Sequence, residues 1–121
     1  MRANGAGVRT VTIERGGGAV ACERCRVADT FWTRFRGLQL RPPLEEDEGL
    51  LIRPCGSVHT FFMRFPIDVV FLDAELTVLG VREAVRPWRA AAQRGAKAVL
   101  ELPAGTAARA GIAAGERLRE A

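Results

Sequence analysis

The stretch from residue 59 to residue 73 constrains the fold more than any other part of the chain. Its sequence is HTFFMRFPIDVVFLD, and residues 69–72 form a continuous apolar run of strand length. Such a run is expected where a strand is covered on both faces. The preceding residues 59–65 predict a strand as well, whose side chains alternate between two faces. One of those faces would carry His59, Phe61, Met63 and Phe65. We therefore expect this stretch to enter the interior as β-structure.

Two hairpins are predicted from alternation and turn residues. Residues 8–13 are β-branched and alternate, a run of three glycines at 16–18 indicates a turn, and residues 19–27 return as the partner strand. Residues 69–72 pair in the same way with a strand at 76–85.

Shorter strands are predicted at residues 50–52, 98–102 and 115–118. At 98–102, Leu100 and Leu102 would share one face, opposite Val99 and Glu101.

Two short helices complete the prediction. Asp29 and Thr30 are candidates for the N-cap of a helix that ends at Gly37. Thr106 is the candidate cap of a second helix, through Ala110 and stopped by Gly111.

The length of 121 residues corresponds to one domain, and a hydrophobic content of 48% is enough for a core. Residues 1–7 are polar and glycine-rich, which predicts a flexible N-terminus before a single β-rich domain at 8–121. The expected fold is a mainly-β sandwich or partly closed barrel of about seven strands, with one or two short helices.

The formal net charge of +4 does not indicate a nucleic-acid partner. Of 18 basic residues only Lys97 is a lysine, and the basic residues are spread along the whole chain. No run approaches the roughly 18 apolar residues of a membrane span, and residues 1–7 show no apolar stretch of the kind that a secretory signal needs. We therefore expect a cytoplasmic protein without a membrane partner. An odd number of cysteines, three, fits that compartment.

Three segments resemble a known family. The first includes Arg34-Phe35-Arg36-Gly37-Leu38, the second is the stretch from 59 to 73, and the third contains Leu100-Glu101-Leu102-Pro103-Ala104-Gly105. Together, over residues 8–119, they are similar to the domain-of-unknown-function family 192, a bacterial and archaeal group of small β-rich domains. The resemblance implies a compact mainly-β fold and supplies no reaction. The resemblance also implies that many relatives carry export or lipoprotein signals, a pattern that residues 1–7 do not show.

Cysteine spacing raises a zinc hypothesis. Cys22 and Cys25 form a Cys-x-x-Cys, and Cys55 and His59 follow with a Cys-x₃-His spacing, so the four could supply one zinc site. In a regular strand, however, Cys22 and Cys25 would point to opposite faces, and joining them needs a bulge or a turn. Buried, inert thiols are the alternative, and no other cofactor is expected. A thioredoxin-like role is disfavoured because that motif begins a helix.

His59 is the only histidine, which makes it the candidate general base of a hydrolase-like enzyme. Asp68 could orient it, with Cys55 or Ser57 as the nucleophile, although no nucleophile elbow frames either residue. Asp68 also needs a partner, because an unpaired charge among apolar residues is costly. The candidates for that partner are Arg36, Arg64 and His59.

The favoured interpretation is a non-catalytic binding or accessory domain for a small molecule or a protein. Phe61 and Phe62 are expected mostly in the core, but any aromatic residues that reach the surface could form a floor for a sugar or a peptide. The predicted pocket is polar-rimmed and centres on His59 and Asp68. Its candidate residues are His59, Thr60, Met63, Asp68, Arg36 and Glu101.

Overall fold

The computed structural model describes residues 9–30 and 42–121, which contain nine strands and one helix. The strands are β1 (Arg9–Glu14), β2 (Val20–Ala28), β3 (Glu48–Ile52), β4 (Ser57–His59), β5 (Ile67–Leu72), β6 (Val78–Val85), β7 (Ala90–Ala92), β8 (Ala98–Pro103) and β9 (Arg119–Glu120). The helix is α1 (Thr106–Ala110).

Seven strands form one curled sheet in the order β6-β5-β8-β3-β2-β1-β9. The β2–β3 pair is parallel, and the other strand pairs of this sheet are antiparallel. Strands β4 and β7 form a separate two-stranded ribbon. The predicted mainly-β, partly closed architecture is confirmed, as are both hairpins.

The two central strands divide the core into two clusters. Every residue of β5 is buried, as the continuous apolar run predicts. Alternation along β5 and β8 sends Val70 and Leu100 into one cluster and Val69 and Val99 into the other. The second cluster also takes Ala91 of the β4–β7 ribbon, so the ribbon packs over that face of the sheet.

A β-bulge changes the facing of residues in β2. On β1, Val11 and Ile13 are two residues apart, but their partners Cys25 and Cys22 are three apart. One extra residue on β2 therefore separates the two pairs, which defines a bulge. Both cysteines then point into the core, and the two residues between them are exposed.

The prediction of a strand over residues 59–65 is wrong. Strand β4 ends at His59, and the chain turns at Phe62, whose φ is 64°. The turn is closed by a hydrogen bond from the Met63 N–H to the Thr60 carbonyl, at 3.2 Å. Alternation is lost there, so Met63 is buried while His59 and Phe61 are exposed.

Two element ends also differ from expectation. The residue that caps α1 is Gly105, at φ 93°, because a left-handed backbone is needed there, and Thr106 is the first helical residue. The last strand lies at Arg119–Glu120, and the predicted 115–118 segment forms only a single bridge, at Arg117. The helix expected after Asp29 and Thr30 and the N-terminus at 1–7 lie outside the described residues.

Candidate functional site

Four rings form a continuous aromatic surface, which we define as His59, Phe61, Phe62 and Trp88. The Phe61 and Trp88 rings stack with centroids 5.6 Å apart, and Phe62 meets Trp88 edge-on at 4.9 Å. The His59 ring lies 4.7 Å from that of Phe61. Phe61, Phe62 and Trp88 are 39%, 52% and 56% exposed, respectively. Large exposed apolar groups that cluster in this way mark interaction sites more often than isolated ones do.

The buried side chain of Thr60 joins the two loops that carry these rings. Its hydroxyl donates to the Arg86 carbonyl at 2.6 Å and accepts from the Arg89 N–H at 2.8 Å. Its backbone carbonyl accepts from the Trp88 N–H at 3.0 Å. Thr60 therefore fixes the loop that carries Trp88 against the turn that carries Phe61 and Phe62.

The backbone of the aromatic surface is strained. Phe62 and Trp88 adopt φ values of 64° and 65°, a left-handed conformation that bulky side chains rarely take. Such strain persists only where the surroundings over-determine it, and it is concentrated at functional sites. Here it presents both rings outward rather than into the core.

The loops around the aromatic surface are basic. Residues 60–66 and 86–89 contain Arg64, Arg86 and Arg89 and no acidic residue. All three arginines are exposed, and none takes part in an ion pair found within the described segments. The Arg89 guanidinium donates hydrogen bonds of 3.4 Å to the Pro87 and Trp88 carbonyls, and its remaining N–H groups can still bind an anion, as can those of the other two arginines.

A shallow groove of about 470 Å³ adjoins the aromatic surface. It runs along the β4–β7 ribbon and is mostly apolar. Its lining residues are Ser57, Val58, His59, Phe61, Ala90, Ala91 and Ala92. His59 and Phe61 are thus shared between the groove and the aromatic surface.

Asp68 does not belong to this site. Its carboxylate is fully buried and accepts hydrogen bonds from the backbone N–H groups of Ala84, Gly105 and Ala107, at 2.9 to 3.0 Å. Backbone amides, rather than the expected Arg64 or His59, satisfy the charge, because β6 and the start of α1 bring those amides together. His59 accepts instead from the Phe61 N–H, at 3.3 Å. No hydrogen bond among the described residues links His59 to Asp68.

Of the other predicted pocket residues, Met63 and Glu101 are buried, and Arg36 lies outside the described residues. Glu101 lies opposite Leu50 and Val69, and its Oε1 has no hydrogen-bond partner within residues 9–30 and 42–121. Burial raises the pKa of its carboxyl to about 8. The predicted pocket is therefore divided between a surface part at His59 and separate buried groups.

The residues of the zinc hypothesis are distributed over three places. Cys22 and Cys25 lie in one core cluster, Cys55 packs against the other, and His59 is exposed. Within residues 9–30 and 42–121, no three histidine, cysteine, aspartate or glutamate side chains converge as metal ligands.

Trp88 is the main residue of the site that sequence reasoning missed. Pro87-Trp88 indicates only a break after a strand, and nothing in the pattern places it beside Phe61. The available signal is the consecutive pair Phe61-Phe62, because neighbouring side chains of an extended chain point in opposite directions and do not enter the same core cluster.

Comparisons with known proteins connect the chain to uncharacterised relatives. A UPF0127 protein of Thermococcus sibiricus is 41% identical over 93 residues, which cover 73% of this chain and 60% of the relative. This chain therefore spans less than two thirds of that relative. A UPF0127 protein of Pyrococcus furiosus is 38% identical over 97 residues, covering 77% of this chain and 83% of the relative.

Solved structures share the fold. A protein of unknown function from Novosphingobium aromaticivorans superposes with a TM-score of 0.78 at 26% identity, over 93% of this chain and 84% of that one. A protein of Sinorhizobium meliloti superposes with a TM-score of 0.81 at 24% identity, over 93% of both chains.

Within the described ranges, no helix has the length and apolar character that crossing a membrane requires. The family model for DUF192, described as uncharacterized ACR, matches residues 11–120. The chain belongs to the DUF192 family, whose function is uncharacterised.

Proposed function

We propose that this protein is a non-catalytic binding domain whose aromatic surface takes an anionic carbohydrate. The observation that carries the proposal is the contact between three exposed rings, Phe61, Phe62 and Trp88. Solvent exposure of so much aromatic area is unfavourable unless a ligand covers it. The apolar faces of sugar rings have the shape and size to stack on such side chains.

The charge around the rings selects the ligand. Arg64, Arg86 and Arg89 have no acidic partner among the described residues, so a neutral sugar would leave them unused. Carboxylate or sulfate groups on a saccharide would pair with them. Because the arginines are exposed, this part of the affinity will fall as salt is added.

Binding is favoured over catalysis because the candidate catalytic groups are apart. His59 is exposed on the aromatic surface, whereas the Asp68 carboxylate is occupied by three backbone amides. Proton transfer needs a base and its orienting group within hydrogen-bond reach. A His59–Asp68 dyad has no support in this arrangement.

Titration of tryptophan fluorescence with an oligomer of galacturonic acid tests the proposal, with the neutral galactose oligomer of equal length as reference. The acidic oligomer is expected to bind, and more tightly than the neutral one. Trp88→Ala should weaken binding at least about tenfold, as expected for a central aromatic contact. Because this variant removes one reporter, calorimetry replaces fluorescence for it.

Arg64→Gln tests the contribution of charge, and one matched control accompanies each of Trp88→Ala and Arg64→Gln. Val20→Ala truncates an apolar side chain that is 51% exposed on β2, and it should leave binding unchanged. Arg64→Gln should weaken binding of the acidic oligomer only. Arg117→Gln makes the same charge change elsewhere on the chain and should leave binding of both oligomers unchanged. The proposal fails if Trp88→Ala binds normally, or if a ring-free acidic peptide such as hexaglutamate binds as well as the saccharide.

A further inference from the structure

The bulge in β2 places two cysteine residues on the same face of the strand. Cys22 and Cys25 are opposite Ile13 and Val11, which share a face of β1, so the two cysteines also share a face. The residues between them, Glu23 and Arg24, are both exposed. The objection that a regular strand separates these side chains therefore does not apply to this strand.

The two cysteine side chains enter the same part of the core. Both belong to the same apolar cluster, where the Cys22 thiol donates to the Asp47 carbonyl and the Cys25 thiol donates to the Arg26 carbonyl, each at 3.6 Å. Gly49 on β3 leaves room for them, since a Cβ at that position would lie 2.8 Å from the Cys22 Sγ. Cys55 packs against the other cluster, which separates it from the pair.

The pair is asymmetric. Cys22 is 3% exposed, next to the Asp47 carbonyl where β3 begins, while Cys25 is completely buried. The neighbouring Cys25 side chain lowers the pKa of the Cys22 thiol, while the Cys22 side chain and burial together raise the pKa of the Cys25 thiol. Cys22 thus has more thiolate character and more solvent access than Cys25. This suits Cys22 to be the attacking cysteine and Cys25 to be the resolving cysteine.

We infer that Cys22 and Cys25 form a peroxide-reactive thiol pair that closes to an intramolecular disulfide. The Cys22 thiolate attacks one oxygen of a small peroxide such as hydrogen peroxide, the O–O bond breaks, and hydroxide leaves as water with the thiol proton. Cys22 is then a sulfenic acid. The Cys25 sulfur attacks the Cys22 sulfur, the S–O bond breaks, and a second water leaves with the Cys25 proton. Two thiols and one hydrogen peroxide thus give one disulfide and two waters.

Mass spectrometry of the full folded chain tests the inference directly. After hydrogen peroxide treatment, the intact mass should fall by about 2 Da, and denatured protein should take up one N-ethylmaleimide instead of three. Dithiothreitol should restore all three sites. Trypsin cleaves after Arg24, so residues 16–24 and residues 25–26 should remain linked only in the oxidised sample. Uptake of three labels after peroxide, or a disulfide that contains Cys55 or joins two copies, would overturn the inference.

Single variants test the assigned roles. In Cys25→Ser, the Cys22 sulfenic acid should persist and react with dimedone, about tenfold more than Cys25 does in Cys22→Ser. Equal labelling would overturn the assignment of attacking and resolving sulfur. Cys55→Ser should form the disulfide as the unaltered chain does. The mapping on the unaltered chain decides the question even where a variant folds poorly.

Discussion

The carboxylate of Asp68 accepts a hydrogen bond at 2.9 Å from the backbone N–H of Ala107, 39 residues further along the chain. The same carboxylate accepts from Gly105, which caps α1, and from Ala84 on β6. One buried side chain therefore connects β5, β6 and the start of α1. This explains how a charge is tolerated in a strand in which every residue is buried.

Asp68→Asn should lower the free energy of unfolding by about 2 to 3 kcal/mol, because one acceptor oxygen becomes a donor that faces backbone N–H groups. Urea denaturation measures the loss. Asp73→Asn is the matched control, since Asp73 also accepts two backbone N–H bonds but is only half-buried, and it should lose less. Equal losses at the two positions would contradict the structural role of Asp68.

Glu101 should make stability depend on pH. Burial raises the pKa of the Glu101 carboxyl from 4.5 to about 8. Between pH 4.5 and pH 8, the folded chain therefore keeps the Glu101 proton, whereas the unfolded chain has lost it. The folded state then binds more protons in this window, and rising pH destabilises it, by about 3 kcal/mol between pH 5 and pH 8. Glu101→Gln should remove this component. A stability profile with the same slope in Glu101→Gln would show that another group is responsible.

Thr60 should control the order of the Trp88 loop. Thr60→Val keeps the shape but removes the hydroxyl that accepts from the Arg89 N–H, so amide hydrogen exchange at Arg89 should become about tenfold faster. Thr60→Ser retains the hydroxyl and should behave as the unaltered chain does. Unchanged exchange at Arg89 in Thr60→Val would remove Thr60 from its positioning role.

Gly49 should not tolerate a side chain. In Gly49→Ala, the new Cβ would lie 2.8 Å from the Cys22 Sγ, 2.9 Å from Leu102 Cδ2 and 3.0 Å from the Glu101 carbonyl. Thermal unfolding should show a loss of about 1 to 3 kcal/mol, as for other overpacked cores. Gly17→Ala is the control, because a Cβ there meets no atom within 4 Å. Equal stability of the two variants would contradict the close approach at Gly49.

Strands with simple hydrophobic patterns were predictable from the sequence. Residues 69–72 are apolar without interruption, and the structure covers both faces of β5. The alternation at Val99, Leu100 and Glu101 gave the correct faces of β8. In both cases the order of apolar and polar residues follows directly from which side chains are buried.

The candidate site was less predictable, since backbone conformation there overrides periodicity. The left-handed φ of Phe62 ends the alternation expected after His59, and the bulge brings Cys22 and Cys25, which were expected on opposite faces, to the same face. Neither leaves a local signal such as glycine. Asp68 was recognised as needing partners, but backbone amides contributed by distant segments have no signature in the sequence. The expected cytoplasmic location stays a prediction.

An amide NMR titration with trigalacturonate tests the central claim, that the aromatic surface is where this domain binds its ligand. The account predicts shifts for the Trp88 indole N–H and for the backbone amides of residues 59–62 and 86–89, with the β1–β2 hairpin unaffected. Absence of shifts at saturating saccharide, or shifts centred on another face of the sheet, would contradict it.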